Sequence, residues 1–313
     1  MAMFLKKHIN FMAKRKIAIV FSAILILASI GSLMVRGLNL GVDFTGGTVI
    51  QVAYPTAADI TGIRDTLTAA GFDAAVQPFG TAQDVLVRLP EQEGENKVAE
   101  VSVNVLEALR AVEPAVEMRR VESVGPQIGD ELRDQGGIAM LLALAGILIY
   151  IALRFELRFS VGSIIALVHD VVLTIGFFSI TGIEFDLTIL AAVLAIIGYS
   201  LNDTIVVFDR IRENFLKLRK TETDESIDIS INETLSRTLV TSFTTLIVLI
   251  SLFVFGGEII HGFSIAMIVG IVIGTYSSIY VASSSLLVMG VTREALLPPA
   301  KDEEADEELD AIP

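Results

Sequence analysis

Residues 17–35 read IAIVFSAILILASIGSLMV, a run of nineteen residues without a charged side chain. At about 1.5 Å per helical residue, such a run crosses the roughly 30 Å of hydrocarbon in a bilayer. Similar runs occur at 136–153 and 239–255. Hydrophobic residues make up 53% of the 313 residues, and the mean hydropathy of +0.67 is too high for a soluble globular domain. The sequence therefore predicts a membrane protein and excludes soluble enzymes.

The composition also excludes several kinds of chemistry. The chain has no cysteine, so it has no disulfide, no thiolate nucleophile and no sulfur ligand for a metal. A net charge of -14 argues against nucleic acid as a partner, because phosphate binding requires clusters of Lys and Arg. We expect no metal, no cofactor and no enzymatic activity.

Hydropathy divides the chain into four regions. We predict a cytosolic N-terminal tail with the first transmembrane helix (1–36), an extracytoplasmic domain (37–135), a five-helix transmembrane bundle (136–292) and an acidic cytosolic tail (293–313). The five further spans are expected at about 136–153, 159–180, 187–208, 238–256 and 262–291. In the polar stretch between the third and fourth of these, at 209–237, Ile227, Ile231 and Leu235 have the spacing of a short helix on the cytosolic surface.

Residues 37–135 have the pattern of a small α+β domain. Strands are predicted at 47–54, 74–79, 84–89 and 115–124, and helices at 56–70 and 94–112. The order β-α-β-β-α-β is typical of a ferredoxin-like sandwich.

The distribution of basic residues predicts the orientation. Of 23 Lys and Arg, 15 lie in the N-terminal tail, the 154–158 turn, the 209–237 loop and the C-terminal tail. Basic residues favour the cytosolic side, so these regions and both termini are expected in the cytosol. The domain at 37–135 is then on the periplasmic or extracytoplasmic side of the inner membrane.

Asp203 is the strongest candidate for a functional residue. It lies in IGYSLNDT at 197–204, with Tyr199 and Ser200 one turn earlier on the same helical face and Asn202 beside it. Acids inside a membrane span mark ion pathways by default, and a buried carboxyl with hydroxyl neighbours is suited to exchange a proton. We expect Asp203 to conduct protons.

Arg237 opens the next span, ahead of Thr241 on a hydroxyl-lined face. If its charge lies beside Asp203, the distance between the two residues would determine whether Asp203 holds a proton. The alternatives are a static ion pair and an ordinary cytosolic anchor. His169 and Asp170 lie near the middle of the third span, where they form either part of a relay or an interhelical hydrogen bond.

Two glycine-containing segments connect the small domain to the spans. The first is GVDFTGG at 41–47, with Gly41, Asp43, Phe44, Gly46 and Gly47, and the second contains Gly125 and Pro126. Glycine permits turns that other residues avoid, so both segments are expected to be junctions at which the chain bends.

These segments resemble the SecF family, the smaller subunits of bacterial SecD-SecF protein-export complexes and a branch of the resistance-nodulation-division transporters. The resemblance rests on GVDFTGG at 41–47, VGP at 124–126, HD at 169–170, IGYSLNDTIVVFDRIREN at 197–214, SRT at 236–238 and SFTT at 242–245. It implies that Asp203 and Arg237 take part in proton conduction. It also implies SecD, the SecY-SecE-SecG channel, YajC, YidC, unfolded preprotein, lipid and protons as partners.

Three other functions fit parts of the pattern. A proton-driven exporter of small molecules or lipids would share the Asp203 chemistry but needs a substrate cleft in the outer domain. A passive scaffold would need no proton. An intramembrane protease would use Ser200 with His169 or His261, but a Ser-His dyad requires hydrogen-bond contact, and Ser200 and His261 are expected at different depths.

Overall fold

The computed structural model describes residues 8–90, 97–218 and 220–291, and the predicted acidic tail at 293–313 lies outside them. Within these residues, six helical stretches are long and apolar enough to cross a membrane. They contain α1 (Arg15–Val35), α5 (Pro126–Arg154), α6 (Leu157–Thr181), α7 (Leu187–Lys217), α8 (Thr223–Phe255) and α9 (Glu258–Ser277), which continues through a π-helical turn (Ser278–Ala282) into α10 (Ser283–Val288). The predicted class, a six-helix membrane bundle with a small α+β domain after the first helix, is confirmed.

The sheet domain follows a short helix, α2 (Val42–Thr45). Its elements are β1 (Gly47–Ala53), α3 (Ile60–Ala69), β2 (Ala75–Phe79), β3 (Thr81–Leu89), α4 (Lys97–Arg110) and β4 (Glu117–Val124). The strands are antiparallel in the order β2-β3-β1-β4, which is the ferredoxin-like topology. Alternate residues of the strands, such as Ile50, Val52, Val85 and Val87, are buried together with Leu67 of α3. This period of two explains how so short a segment forms a core without disulfides.

In the bundle, α6, α7 and α9 are central and the other spans are peripheral. About half of each central span is buried (50–56%), against 6–17% of the spans containing α1, α5 and α8. Small residues let the helices approach closely. A Cβ added to Gly274 would lie 3.1 Å from the Ser200 Cβ, and one added to Gly176 would clash with Ser29 of α1. Most of the surface of α1, α5 and α8 is therefore exposed in the single chain, where it can contact lipid or another chain.

Three helices extend well beyond the predicted spans. The helix α5 begins at Pro126, ten residues before the predicted start at 136. The helix α7 continues to Lys217, so Asp203 is the seventeenth of its 31 residues rather than close to its cytosolic end. The helix α8 begins at Thr223 and includes Ile227, Ile231 and Leu235, all at most 5% exposed. The prediction of a separate surface helix there is wrong, because these side chains pack into the bundle core and the helix runs on without a break.

Candidate functional site

Asp170 lies at the centre of the bundle and connects three helices. Its side chain on α6 is completely buried. One oxygen, Oδ2, accepts hydrogen bonds from Ser200 Oγ of α7 and from Ser277 Oγ of α9, the latter at 2.7 Å. The other, Oδ1, lies 2.8 Å from His169 Nδ1. A buried carboxyl with this many partners fixes the relative positions of the helices that supply them.

His169 extends the network to a fourth helix. Its Nε2 lies 3.2 Å from Ser22 Oγ of α1, and Ser22 Oγ lies 3.0 Å from the Tyr276 hydroxyl of α9. The Tyr276 hydroxyl donates to the Ala18 carbonyl at 2.9 Å. A continuous chain of polar groups therefore runs from Asp170 to the backbone of α1.

Asp203 is buried on the same face of α7 as Ser200, three residues earlier. It is 4% exposed, and its Oδ2 has no hydrogen-bond partner among the residues that the structure describes. A buried polar atom without a partner is unusual and costly. Asp203 therefore lies inside the bundle with one carboxyl oxygen unpaired among these residues.

Arg237 and Asp203 form no ion pair within 4.0 Å in the described structure. Arg237 lies on the exposed face of α8, near enough for its charge to act on the carboxyl. The static ion pair is therefore not present in this arrangement. In the same region of α8, the buried Thr238 Oγ1 has no hydrogen-bond partner among the described residues.

Tyr199 belongs to a second set of polar contacts, separate from the Asp170 network, that joins α7, α8 and α9. Tyr199 OH donates to Ser242 Oγ of α8 at 3.5 Å, and Ser242 Oγ lies 2.8 Å from Thr275 Oγ1 of α9. Asn202 is exposed, and the Thr241 hydroxyl donates to backbone carbonyls of its own helix. These last two residues are not brought into the buried site.

The first junction contacts the turn between α6 and α7. Gly41 N donates to Phe185 O at 2.9 Å, and the Phe44 ring stacks on the Phe185 ring at 6.2 Å. Asp43 Oδ2 accepts a hydrogen bond from Leu187 N at 2.9 Å. This junction is packed against the bundle rather than being a free bend.

Glycine geometry is needed at the end of the first junction. Gly46 and Gly47 have φ values of +68° and +120°, which side-chain-bearing residues rarely adopt. Gly125 is the N-cap of α5 and Pro126 is its first residue, a position where the missing N–H of proline has no cost.

The side chains from other helices that complete the network were not found from the sequence. Ser22, Tyr276 and Ser277 lie in spans that lack an acid near them, so only their contacts identify them. Glu184, in the turn between α6 and α7, forms an ion pair with Arg88 of β3 and accepts a hydrogen bond from Gln77 of β2. Across residues 8–90, 97–218 and 220–291, no group of three His, Asp or Glu residues is placed to hold a metal.

The protease alternative loses its proposed dyad in this geometry. Ser200 donates to Asp170 and not to a histidine, and His261 stacks on Phe253 with ring centroids 4.1 Å apart. The hydroxyl beside His169 belongs to Ser22, which is 6% exposed and also bonded to Tyr276.

Comparison with known proteins gives two family matches. Residues 104–292 match the family described as protein export membrane protein SecD/SecF, C-terminal. Residues 31–55, which include the first junction, match the SecD/SecF GG motif.

Curated relatives match over almost the whole chain. The chain is 50% identical to protein translocase subunit SecF of Vibrio alginolyticus, over 98% of both chains. It is 51% identical to the SecF subunit of Pseudomonas aeruginosa over 94% of this chain and 96% of the relative. The subunit of Escherichia coli O157:H7 is 43% identical over 98% and 96% of the two chains.

Solved structures support the same assignment. A crystal structure of SecDF from Thermus thermophilus, described as a translocon-associated membrane protein, superposes with a TM-score of 0.82 at 38% identity. The match covers 91% of this chain and 39% of that longer one. A second, SecDF in a super-membrane-facing form, gives a TM-score of 0.68 at 37% identity and covers 98% and 41% of the two chains. The chain belongs to the SecD/SecF family of protein export membrane proteins, and the resemblance seen in its motifs is confirmed.

Proposed function

We propose that this chain is the SecF-type subunit of an inner-membrane protein-export complex and that proton movement through Asp203 drives its work. The observation that carries the proposal is the carboxyl of Asp203, which is buried in the middle of a membrane-spanning helix with one oxygen unpaired. An unpaired charge is expensive at this depth, so gain and loss of a proton changes the energy of the surrounding arrangement.

Arg237 supplies the second half of the proposed cycle. When the guanidinium approaches Asp203 it favours the carboxylate, and when it moves away it favours the protonated acid. The present arrangement, with Arg237 exposed and Asp203 unpaired, corresponds to the separated state. A membrane voltage of 100 mV is worth about 2.3 kcal/mol for each charge moved, which is enough to bias such an exchange.

We infer that protons reach Asp203 through the buried polar network around Asp170. Ser200 contacts Asp170 and lies one turn before Asp203 on α7, while His169 joins Asp170 to hydroxyls of α1 and α9. In this proposal Asp170 and His169 relay protons, and Tyr199 and Ser242 hold α7 against α8.

The remaining parts of the proposal concern orientation and partners. Basic residues place both termini in the cytosol and the sheet domain on the periplasmic side. The exposed apolar faces of α1, α5 and α8 are available to SecD and to lipid. Through SecD the chain would act on unfolded preprotein leaving the SecY-SecE-SecG channel, with YajC and YidC as further partners.

The decisive test replaces the acid without changing its size. Asp203→Asn should insert and assemble with SecD but abolish export that depends on the proton-motive force, because the amide does not titrate. Asp209→Asn is the matched control, since Asp209 is an exposed acid on the same helix, paired with Arg154 at 2.7 Å. The control should export normally. Wild-type export by the assembled Asp203→Asn protein would refute the proton role and leave a passive scaffold.

The exporter alternative is favoured by one observation. A cavity of about 680 Å³ lies between the sheet and the far turns of the bundle, within the range of small-molecule sites. Its lining includes Gln51, Arg120, Glu122, Glu184 and His261. If purified complex in vesicles moved small hydrophobic dyes in an Asp203-dependent way and Asp203→Asn left protein export intact, the exporter function would replace protein export.

A further inference from the structure

The helix α2 is held by the sheet domain and the bundle at once. Val42 is 6% exposed and packs with Val49 and Leu86 on the sheet. Phe44, two residues later, is also 6% exposed and packs in the bundle core beside Phe185. Residues two apart on a helix point to nearly opposite sides. A displacement of the sheet domain relative to the bundle must therefore act on α2.

Between these two anchors, Asp43 binds the first turn of α7. Its Oδ2 accepts the hydrogen bond from Leu187 N, and Leu187 is the first residue of that helix. Asp186 caps the same turn by accepting from Ile189 N at 2.8 Å. The first amides of a helix have no partner within it, and negative charge there is favourable. The start of α7 is thus capped from its own chain segment and from α2.

Backbone contacts keep α2 close to both neighbouring spans. Phe185 N donates to Asn39 O at 2.7 Å, which completes a bridge between Leu40 and Phe185. On the other side, a Cβ added to Gly129 in the first turns of α5 would lie 3.0 Å from Gly46 N. The short helix is therefore enclosed between the starts of α5 and α7.

The helix capped by Asp43 is the one that carries Asp203. The two ends of this connection, Leu187 and Asp203, are sixteen residues apart on one unbroken helix, or about 24 Å at 1.5 Å per residue. A rotation or shift of the first turn is delivered to the acid, because packed helices move as stiff bodies.

We propose that Asp43 is a positioning residue that transmits the position of the sheet domain to α7 and so to Asp203. This inference rests on the proposed function, because it concerns how proton exchange at Asp203 is linked to movement of the sheet domain. The hydrogen bond at Leu187 is the contact through which the link acts.

The test compares side chains that keep or remove the capping acceptor. Asp43→Asn and Asp43→Ser retain an oxygen that can cap, whereas Asp43→Ala does not. Loss of a capping acceptor changes an equilibrium by about fivefold, so Asp43→Ala should lower proton-dependent export about fivefold at equal amounts of assembled SecD complex. Asn and Ser should restore most of it.

A matched control removes a cap elsewhere in the sheet domain. Asp59 caps α3 by accepting from Thr61 N at 3.1 Å, so Asp59→Ala loses the same kind of bond away from the bundle. It should export like the wild type. Wild-type export by Asp43→Ala, or an Asn variant no better than Ala in assembled complexes, would overturn the inference. Measuring Asp203→Asn in the same assay separates the positioning role of Asp43 from the proton role of Asp203. Export at the wild-type rate by Asp203→Asn would refute the proposed function itself.

Discussion

Replacement of Asp170 by alanine should loosen the centre of the bundle. The carboxyl has three side-chain partners, Ser200, Ser277 and His169, each of which would be left without it. Interhelical hydrogen bonds in membrane proteins are worth about 0.6 to 1.7 kcal/mol each, so the two from Ser200 and Ser277 together contribute about 1 to 3 kcal/mol. Asp170→Asn keeps the volume and one acceptor, and the hydroxyl groups can rotate to accept from its amide, so it should lose much less.

The assay heats the purified chain in detergent and measures the fraction that remains monodisperse at each temperature. The midpoint is the temperature at which half of the protein is lost. A loss of this size should lower the midpoint by on the order of 2 to 5 °C, because the midpoint of a chain this long shifts by about 1.5 °C for each kcal/mol. The control is Asp209→Ala, which removes an exposed ion pair worth about 0 to 1 kcal/mol. If Asp170→Ala shifts the midpoint no more than Asp209→Ala, the reasoning about the buried network is wrong. An Asn variant that is stable but does not export would identify Asp170 as a relay.

Three further predictions follow from packing, titration and domain contact. Gly176→Leu should prevent α1 from docking and lower the yield of folded protein. Gly198→Ala should be tolerated, because no atom of another described helix lies within 4 Å of the added Cβ. Gel filtration in detergent compares the two variants. Burial raises the pKa of Tyr54 to about 12, above an ordinary value near 10, so the sheet domain should lose stability as pH rises from 10 to 12. Tyr54→Phe should remove that part of the loss in alkaline unfolding followed by circular dichroism. The side chains of Gln77 and Glu184 lie 3.0 Å apart, so cysteines introduced at these two positions can be joined by a reversible thiol cross-linker. The cross-link should block export. Full-rate export by cross-linked protein would show that the domain need not move.

Hydropathy located the spans because membrane helices must satisfy their backbone internally, but it did not locate their ends. The end of α7 illustrates the reason. Beyond Phe208 the helix becomes charged, yet Ile211 and Phe215 remain buried against the start of α8. Amphipathic continuation of a span is set by tertiary packing rather than by transfer to lipid. The strands of the sheet domain were easier, because alternation of buried and exposed residues is a local signal.

The sequence indicated the acids of the candidate site together with His169 and Ser200, but not their partners on α1 and α9. Asp170 and Asp203 are conspicuous because charge is rare in apolar helices. Ser277 is an ordinary membrane residue until the fold brings it 2.7 Å from Asp170. The GxxxG spacing of Gly270 and Gly274 was a usable signal for close helix packing, and it was missed. In the first junction, the glycines are the conspicuous residues of the sequence, but the contact with α7 is made by Asp43.

The central claim is that Asp203 binds the proton that drives export, and the most direct measurement is proton entry into vesicles. The purified complex of this chain with SecD, reconstituted with an internal pH indicator, would be given an inward proton gradient and an export substrate. The wild type and Asp209→Asn should acidify the lumen at the same rate, whereas Asp203→Asn should reduce entry to the leak of protein-free vesicles. Equal proton entry through the wild type and Asp203→Asn would contradict the account.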